Sequence, residues 1–145
     1  MRRNIAFACT LALVLCACTI SKQVKPITAT DVREICIKRN PAVIMEQFLP
    51  EIAKQIEAHG VKTRTYIDTK PDDCRYTLDY VANWQWDMAM YLKYADLIVR
   101  DGSELIGRVT YDARGGGGNM SKFGTTAEKI RPLIDELFAQ VKPAQ

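Results

Sequence analysis

From Tyr76 to Asp87 the chain alternates with a period of two. Tyr76, Leu78, Tyr80, Ala82, Trp84 and Trp86 share one parity, while Thr77, Asp79, Asn83, Gln85 and Asp87 fill most of the other. Successive side chains of a strand point to opposite faces, so this pattern specifies a long antiparallel strand with one buried and one wet face. A helix would repeat its apolar positions at three and four instead. The next segment, Met88 to Arg100, reads as a partner strand. Met88, Met90, Leu92 and Tyr94 share one parity, Ala95, Leu97 and Val99 the other, and a bulge near Tyr94-Ala95 accounts for the shift. Asp101-Gly102 is a hairpin turn, and Leu105, Gly107, Val109 and Tyr111 form the apolar face of a last strand.

The remaining elements follow from the same reading. Arg33 to Ile37 is a short strand ended by Asn40-Pro41, a turn signal. Val43 to Ala58 carries Met45, Phe48, Leu49, Ile52 and Ile56 on one helical stripe, with Gly60 suited to a left-handed stop. Pro50 requires either a kink or a later start. Val61 to Ile67 is a strand, and residues 68 to 74 form a loop. Thr125 to Glu128 is a capping box opening a final helix with Ile130, Leu133, Ile134, Leu137 and Phe138 inward; Pro132 again calls for a kink or late start. The expected fold is an α+β two-layer sandwich, a mixed, mostly antiparallel sheet with two helices on one face. The first two strands are expected to be parallel, joined through the first helix.

The N-terminus reads as an export signal: Arg2 and Arg3, then the uncharged run Ile5–Ala17. Thirteen residues rise only about 20 Å as a helix, short of the ~30 Å hydrocarbon core. Leu15-Cys16-Ala17-Cys18 resembles the lipobox of bacterial lipoproteins, which implies cleavage after residue 17 and lipidation of Cys18, with thioether-linked diacylglycerol and an acylated (palmitate-type) amine. Two or three chains anchor stably, since each buried CH₂ contributes roughly 0.8 kcal/mol. By resemblance to enterobacterial lipoproteins, in which an Asp after the cysteine favours inner-membrane retention, Thr19 implies sorting to the outer membrane, facing the periplasm. Residues 18–33 are expected to form the lipidated N-terminus and a tether, and residues 34–145 a single domain.

Without its signal the chain has 18 basic and 17 acidic residues, a formal +1. No cluster of five basic residues occurs, so no nucleic-acid footprint is present. Cys9 and Cys16 leave with the signal and Cys18 carries lipid. Cys36 and Cys74 remain, either as buried thiols or, as an oxidising compartment favours, as one disulfide.

Signals for catalysis are weak. The single histidine, His59, sits at a helix C-terminus, where an imidazole suits the carbonyl end. Two soft ligands 38 residues apart carry no zinc signature. Asp79 and Asp87 share a strand face but lie about 27 Å apart along it. Asp96 and Asp112 are placed to neighbour each other across the last hairpin, and nothing in the sequence suggests their burial. Trp84 and Trp86 share the parity of Leu78 and are expected in the core. No catalytic residue, cofactor or metal is expected.

Arg114-Gly115-Gly116-Gly117-Gly118-Asn119 is neither a Walker A nor a dinucleotide fingerprint. Its glycines suit a strained or closely packed connection, a mobile partner-binding loop, or a cradle for an anion between Arg114 and Lys122. Tyr76-Thr77-Leu78, Trp84 to Tyr91, Tyr111 to Gly117, Ser121-Lys122-Phe123 and Thr126 to Ile130 together resemble a family of small proteobacterial lipoproteins, over nearly the whole chain. The resemblance implies lipidation and one compact domain, and brings no activity or cofactor. The function expected is that of a non-enzymatic envelope lipoprotein binding another envelope protein or peptidoglycan. The alternative is a periplasmic module taking a small ligand or anion at the glycine loop.

Overall fold

A computed structural model describes residues 19–142; the expected export signal and Cys18 lie outside the described residues. The elements are β1 (Ser21–Lys25), β2 (Glu34–Lys38), α1 (Phe48–Glu57), β3 (Lys62–Tyr66), β4 (Tyr76–Asp87), β5 (Ala89–Asp101), β6 (Glu104–Asp112), a 3-10 turn η1 (Met120–Lys122) and α2 (Thr126–Leu137). One six-stranded sheet runs in the order β1-β6-β5-β4-β2-β3. β2 is parallel to both β3 and β4, and every other pairing is antiparallel. Both helices cover one face, so the α+β two-layer arrangement holds.

The alternation along β4 does what its pattern demands. Leu78, Tyr80 and Ala82 are buried beneath the helices, with Leu97, Val99, Val109 and Tyr111 from the neighbouring strands. α1 contributes Phe48, Ile52 and Ile56, and α2 contributes Ile130, Leu133, Ile134 and Leu137. Gly107 allows this closeness. A Cβ there would lie 2.7 Å from Ile27 Cγ1 and 3.0 Å from Leu137 Cδ1, and the Ile27 amide donates to the Leu137 carbonyl.

The prolines resolve differently. α1 starts at Phe48, later than the sequence pattern implies, which puts Pro50 in the first turn, where its missing N–H costs nothing. α2 starts at its capping box, and Pro132 is accommodated inside the helix. The bulge lies one residue from its expected place: Asn83 pairs with Tyr94 but Trp84 with Leu92, leaving Lys93 extra.

The expected tether is the clearest correction. Residues 21–25 form the edge strand β1, paired along its length with β6, and Ile27 and Val32 are core residues at 0% and 1% exposure. β1 is held by main-chain hydrogen bonds, and its exposed lysines are the usual protection of a sheet edge. A strand stabilised that way leaves no apolar periodicity to read.

Candidate functional site

Pairing register brings several sequence features to one end of the sheet. Ser21 of β1 lies opposite Asp112 of β6, Asp112 opposite Tyr94 of β5, and Tyr94 opposite Asn83 of β4. Beyond that row the chain runs back toward Cys18, forward into the glycine segment, and out along the β4–β5 hairpin to Met88. The segments entering α1 and α2 open at the same end, as the contacts of Trp84 show. Its ring packs edge-on against Phe48 at 5.3 Å, and its Nε1 donates to Thr126 Oγ1.

The glycine segment is a packed turn. Gly116 N donates to the Ala113 carbonyl and Asn119 N to the Gly116 carbonyl. Gly117 has φ +44°, and a Cβ on Gly116 would lie 2.9 Å from Ala113 O. Gly115 sits against the backbone of the emerging N-terminus, where a Cβ would stand 3.2 Å from Thr19 O. Positive φ and close backbone approach, the two marks of a strained or closely packed connection, thus meet in one loop.

Arg114 and Lys122 do not converge on a common cradle. The Arg114 guanidinium donates to both carboxylate oxygens of Asp112 and lies 4.6 Å above the Tyr94 ring. That pairing holds the Asp112 carboxyl below the usual carboxylate range. Lys122 is buried, with its ammonium donating to Asp87 Oδ2 and the Gly117 carbonyl while it faces the rings of Tyr91 and Phe123. Asn119 caps η1, accepting from Ser121 N and Oγ. Beside this turn lies a depression of about 550 Å³ bordered by Lys22, Ser121 and Lys129. Tyr111 lines it, its hydroxyl buried without a hydrogen-bond partner and burial pushing its phenol above the usual range.

Other candidates serve the fold. Cys36 and Cys74 form a disulfide with Cα atoms 6.3 Å apart, joining β2 to the entry of its neighbour β4. Glu34 lies beside the two sulfurs, but these are bonded to each other and present no thiolates to a metal. His59 Nε2 reaches Asp135 Oδ1 at 2.9 Å and the ring stacks on Phe138, so the imidazole ties α1 to α2. Asp96 is buried, which sequence did not suggest, but Arg108 donates to both its oxygens and Thr110 to one. Asp96 and Asp112 thus each have their own arginine.

Sequence pattern alone missed the apolar character of this end. Trp86, expected in the core, is 66% exposed, and Met88 and Met90 beside it are exposed too. The parity was right, but the hairpin outruns the helices that cover Trp84. Met88 also has φ +60°, the one positive-φ residue other than glycine among those described. Behind the hairpin, Ile44 and Met45 border a cleft of about 440 Å³ floored by Phe48 and Trp84.

No protein-family model matches the chain, and no curated protein matches it in sequence. The fold itself has counterparts. It is similar to PelC from Paraburkholderia phytofirmans, solved as a dodecamer in two crystal forms, one of a single-substitution variant. Identity is 11% and the TM-score 0.53 in each, over 88% of this chain and 100% of that one. At that identity the likeness is one of fold.

Proposed function

We propose that the mature protein is a lipid-anchored, non-enzymatic module of the bacterial cell envelope, held through Cys18 at the outer membrane and facing the periplasm. It works by binding other macromolecules. The observation that carries this reading is a division of labour among side chains. Ionisable groups that could have formed a reactive centre are spent in structural pairs, as in Asp96–Arg108, Asp112–Arg114 and Asp87–Lys122. Exposed large apolar groups are instead gathered toward one end of the sheet. Contact surfaces need the second feature; catalysis needs polar groups left available.

The likeness to a fold that assembles as dodecamers supports copies of this chain as one class of partner. Its two sheet edges, β1 and β3, are available for lateral contacts. Crosslinking in intact cells, followed by native mass measurement of the purified protein, tests the reading. Defined oligomers or a specific crosslinked envelope protein are expected. A monomer with no crosslinked partner, or turnover of a small substrate, would overturn it.

A further inference from the structure

We propose that the end of the sheet from which Cys18 emerges is a bilayer-docking surface, with the tip of the β4–β5 hairpin seated in the lipid interface. This rests on the anchor reading above and adds an orientation to it. Only Thr19 and Ile20 separate Cys18 from β1, and three residues of chain span at most about 11 Å. With β1 fixed in the sheet and Thr19 against Gly115, the acylated cysteine has no slack by which the domain could stand off the membrane.

Register sets the height of the hairpin against that anchor. Ser21 and Asn83 lie on one row of paired residues, through Asp112 and Tyr94. In sequence Cys18 precedes Ser21 of that row by three residues, and Trp86 lies three residues beyond the row along β4. Met88 extends two residues further, about 7 Å at the rise of a strand. An acyl chain entering the bilayer at Cys18 therefore carries Trp86 to the interface and Met88 past it.

The side chains at this end suit that position. Six of the eight exposed large apolar residues described lie toward it: Trp86, Met88 and Met90 on the hairpin, Met120 on η1, and Ile44 and Met45 at the cleft floored by Trp84. Val81, on the open sheet face, and Ile67, just past β3 at the opposite edge of the sheet, are the exceptions. An indole favours the headgroup level, where its ring is half apolar and its N–H stays wet. The hairpin's own carboxylate, Asp87, is paired with Lys122 and so does not oppose insertion as a lone charge. Lys22 and Lys129, at the depression beside Thr19, stand where anionic headgroups would lie.

The test uses mature protein whose Cys18 lipidation has been verified by mass, reconstituted in phosphatidylethanolamine–phosphatidylglycerol vesicles. Trp84→Phe leaves Trp86 as the only tryptophan. Its emission is expected to shift to shorter wavelength on reconstitution, lose iodide quenching, and be quenched by spin labels at the headgroup. A Met88→Cys variant carrying an environment-sensitive dye reads the same tip with both tryptophans in place, and should report an apolar setting only with vesicles. A Trp86 that stays iodide-accessible on verified lipidated protein overturns the docking inference while leaving the anchor intact. Protection of Trp86 without vesicles, through self-association, assigns the patch to a second copy and also overturns it. An unmodified Cys18 in the native protein removes the anchor reading, and the docking inference falls with it.

Discussion

Lys122 and Asp87 stand 35 residues apart in the chain, yet their Nζ and Oδ2 atoms meet at 2.5 Å. The same ammonium donates to the Gly117 carbonyl, so one buried cation fastens the glycine turn to the exposed hairpin. Lys122 is 5% exposed, and the Asp87 side chain 48%. The two halves of the pair should therefore respond differently to removal. Asp87→Ala leaves an ammonium buried without its counter-charge and should destabilise by about 2–3 kcal/mol, less than a fully enclosed pair because the carbonyl and two rings remain. Lys122→Met removes the charge that burial penalises and leaves a carboxylate that water can reach, and should destabilise by about 1–2 kcal/mol. Urea unfolding of both variants and the double mutant checks the order, and equal losses would count against it.

Alanine scanning of the glycine turn has a position-specific expectation. Gly118 has open space where a Cβ would go and no positive φ, so Gly118→Ala should be neutral or stabilise by a few tenths of a kcal/mol. Gly116→Ala meets a carbonyl oxygen at 2.9 Å, and Gly117→Ala must hold φ +44°; each should destabilise by about 1 kcal/mol or more. Thermal melts of the three variants separate a packed turn from a passive spacer, for which all three would behave alike.

The Cys36–Cys74 disulfide closes a loop of 38 residues, and its loss should lower stability by about 2–4 kcal/mol. Cys36→Ser with Cys74→Ser, compared with the oxidised protein in denaturant, measures this. Thiol titration of the unfolded oxidised chain should find neither cysteine free.

Acid should weaken the row from Ser21 to Asn83 through Asp112. Hydrogen bonds from Arg114 hold the Asp112 carboxyl below its ordinary value of 3.8. A carboxylate depressed in the folded state stabilises above its unfolded pKa, and that contribution disappears as pH falls through the folded pKa. The wild type should lose stability as pH falls below the ordinary carboxylate range, and Asp112→Asn should show a shallower fall over the same acid range. Chemical denaturation at stepped pH tests the difference in slope, and parallel curves would assign the acid sensitivity to other carboxylates.

The apolar hairpin and the structural pairs show how far local pattern reached. Period two along residues 76–87 named β4 and the face it buries, because a strand's side-chain direction is a local property. The helical stripes and the Thr125–Glu128 box named the helices for the same reason. Cys36 and Cys74 could be paired because the export-signal reading leaves only these two of the five cysteines to join. The segment from Ser21 to Val32 was illegible, since an edge strand is held by main-chain bonds to β6 and its side chains need follow no pattern. Trp86 had the right parity and the wrong burial. Parity fixes which face a side chain points from, but only the reach of the helices decides whether anything covers it. Lys122 and Asp87 could not be matched from sequence, because a contact across 35 residues exists only once the hairpin and the glycine turn are folded against each other. Local periodicity and turn chemistry thus determined the elements, whereas the meeting of the N-terminal segment, the glycine turn and the apolar hairpin at one end was decided by strand register, a property of the assembled sheet.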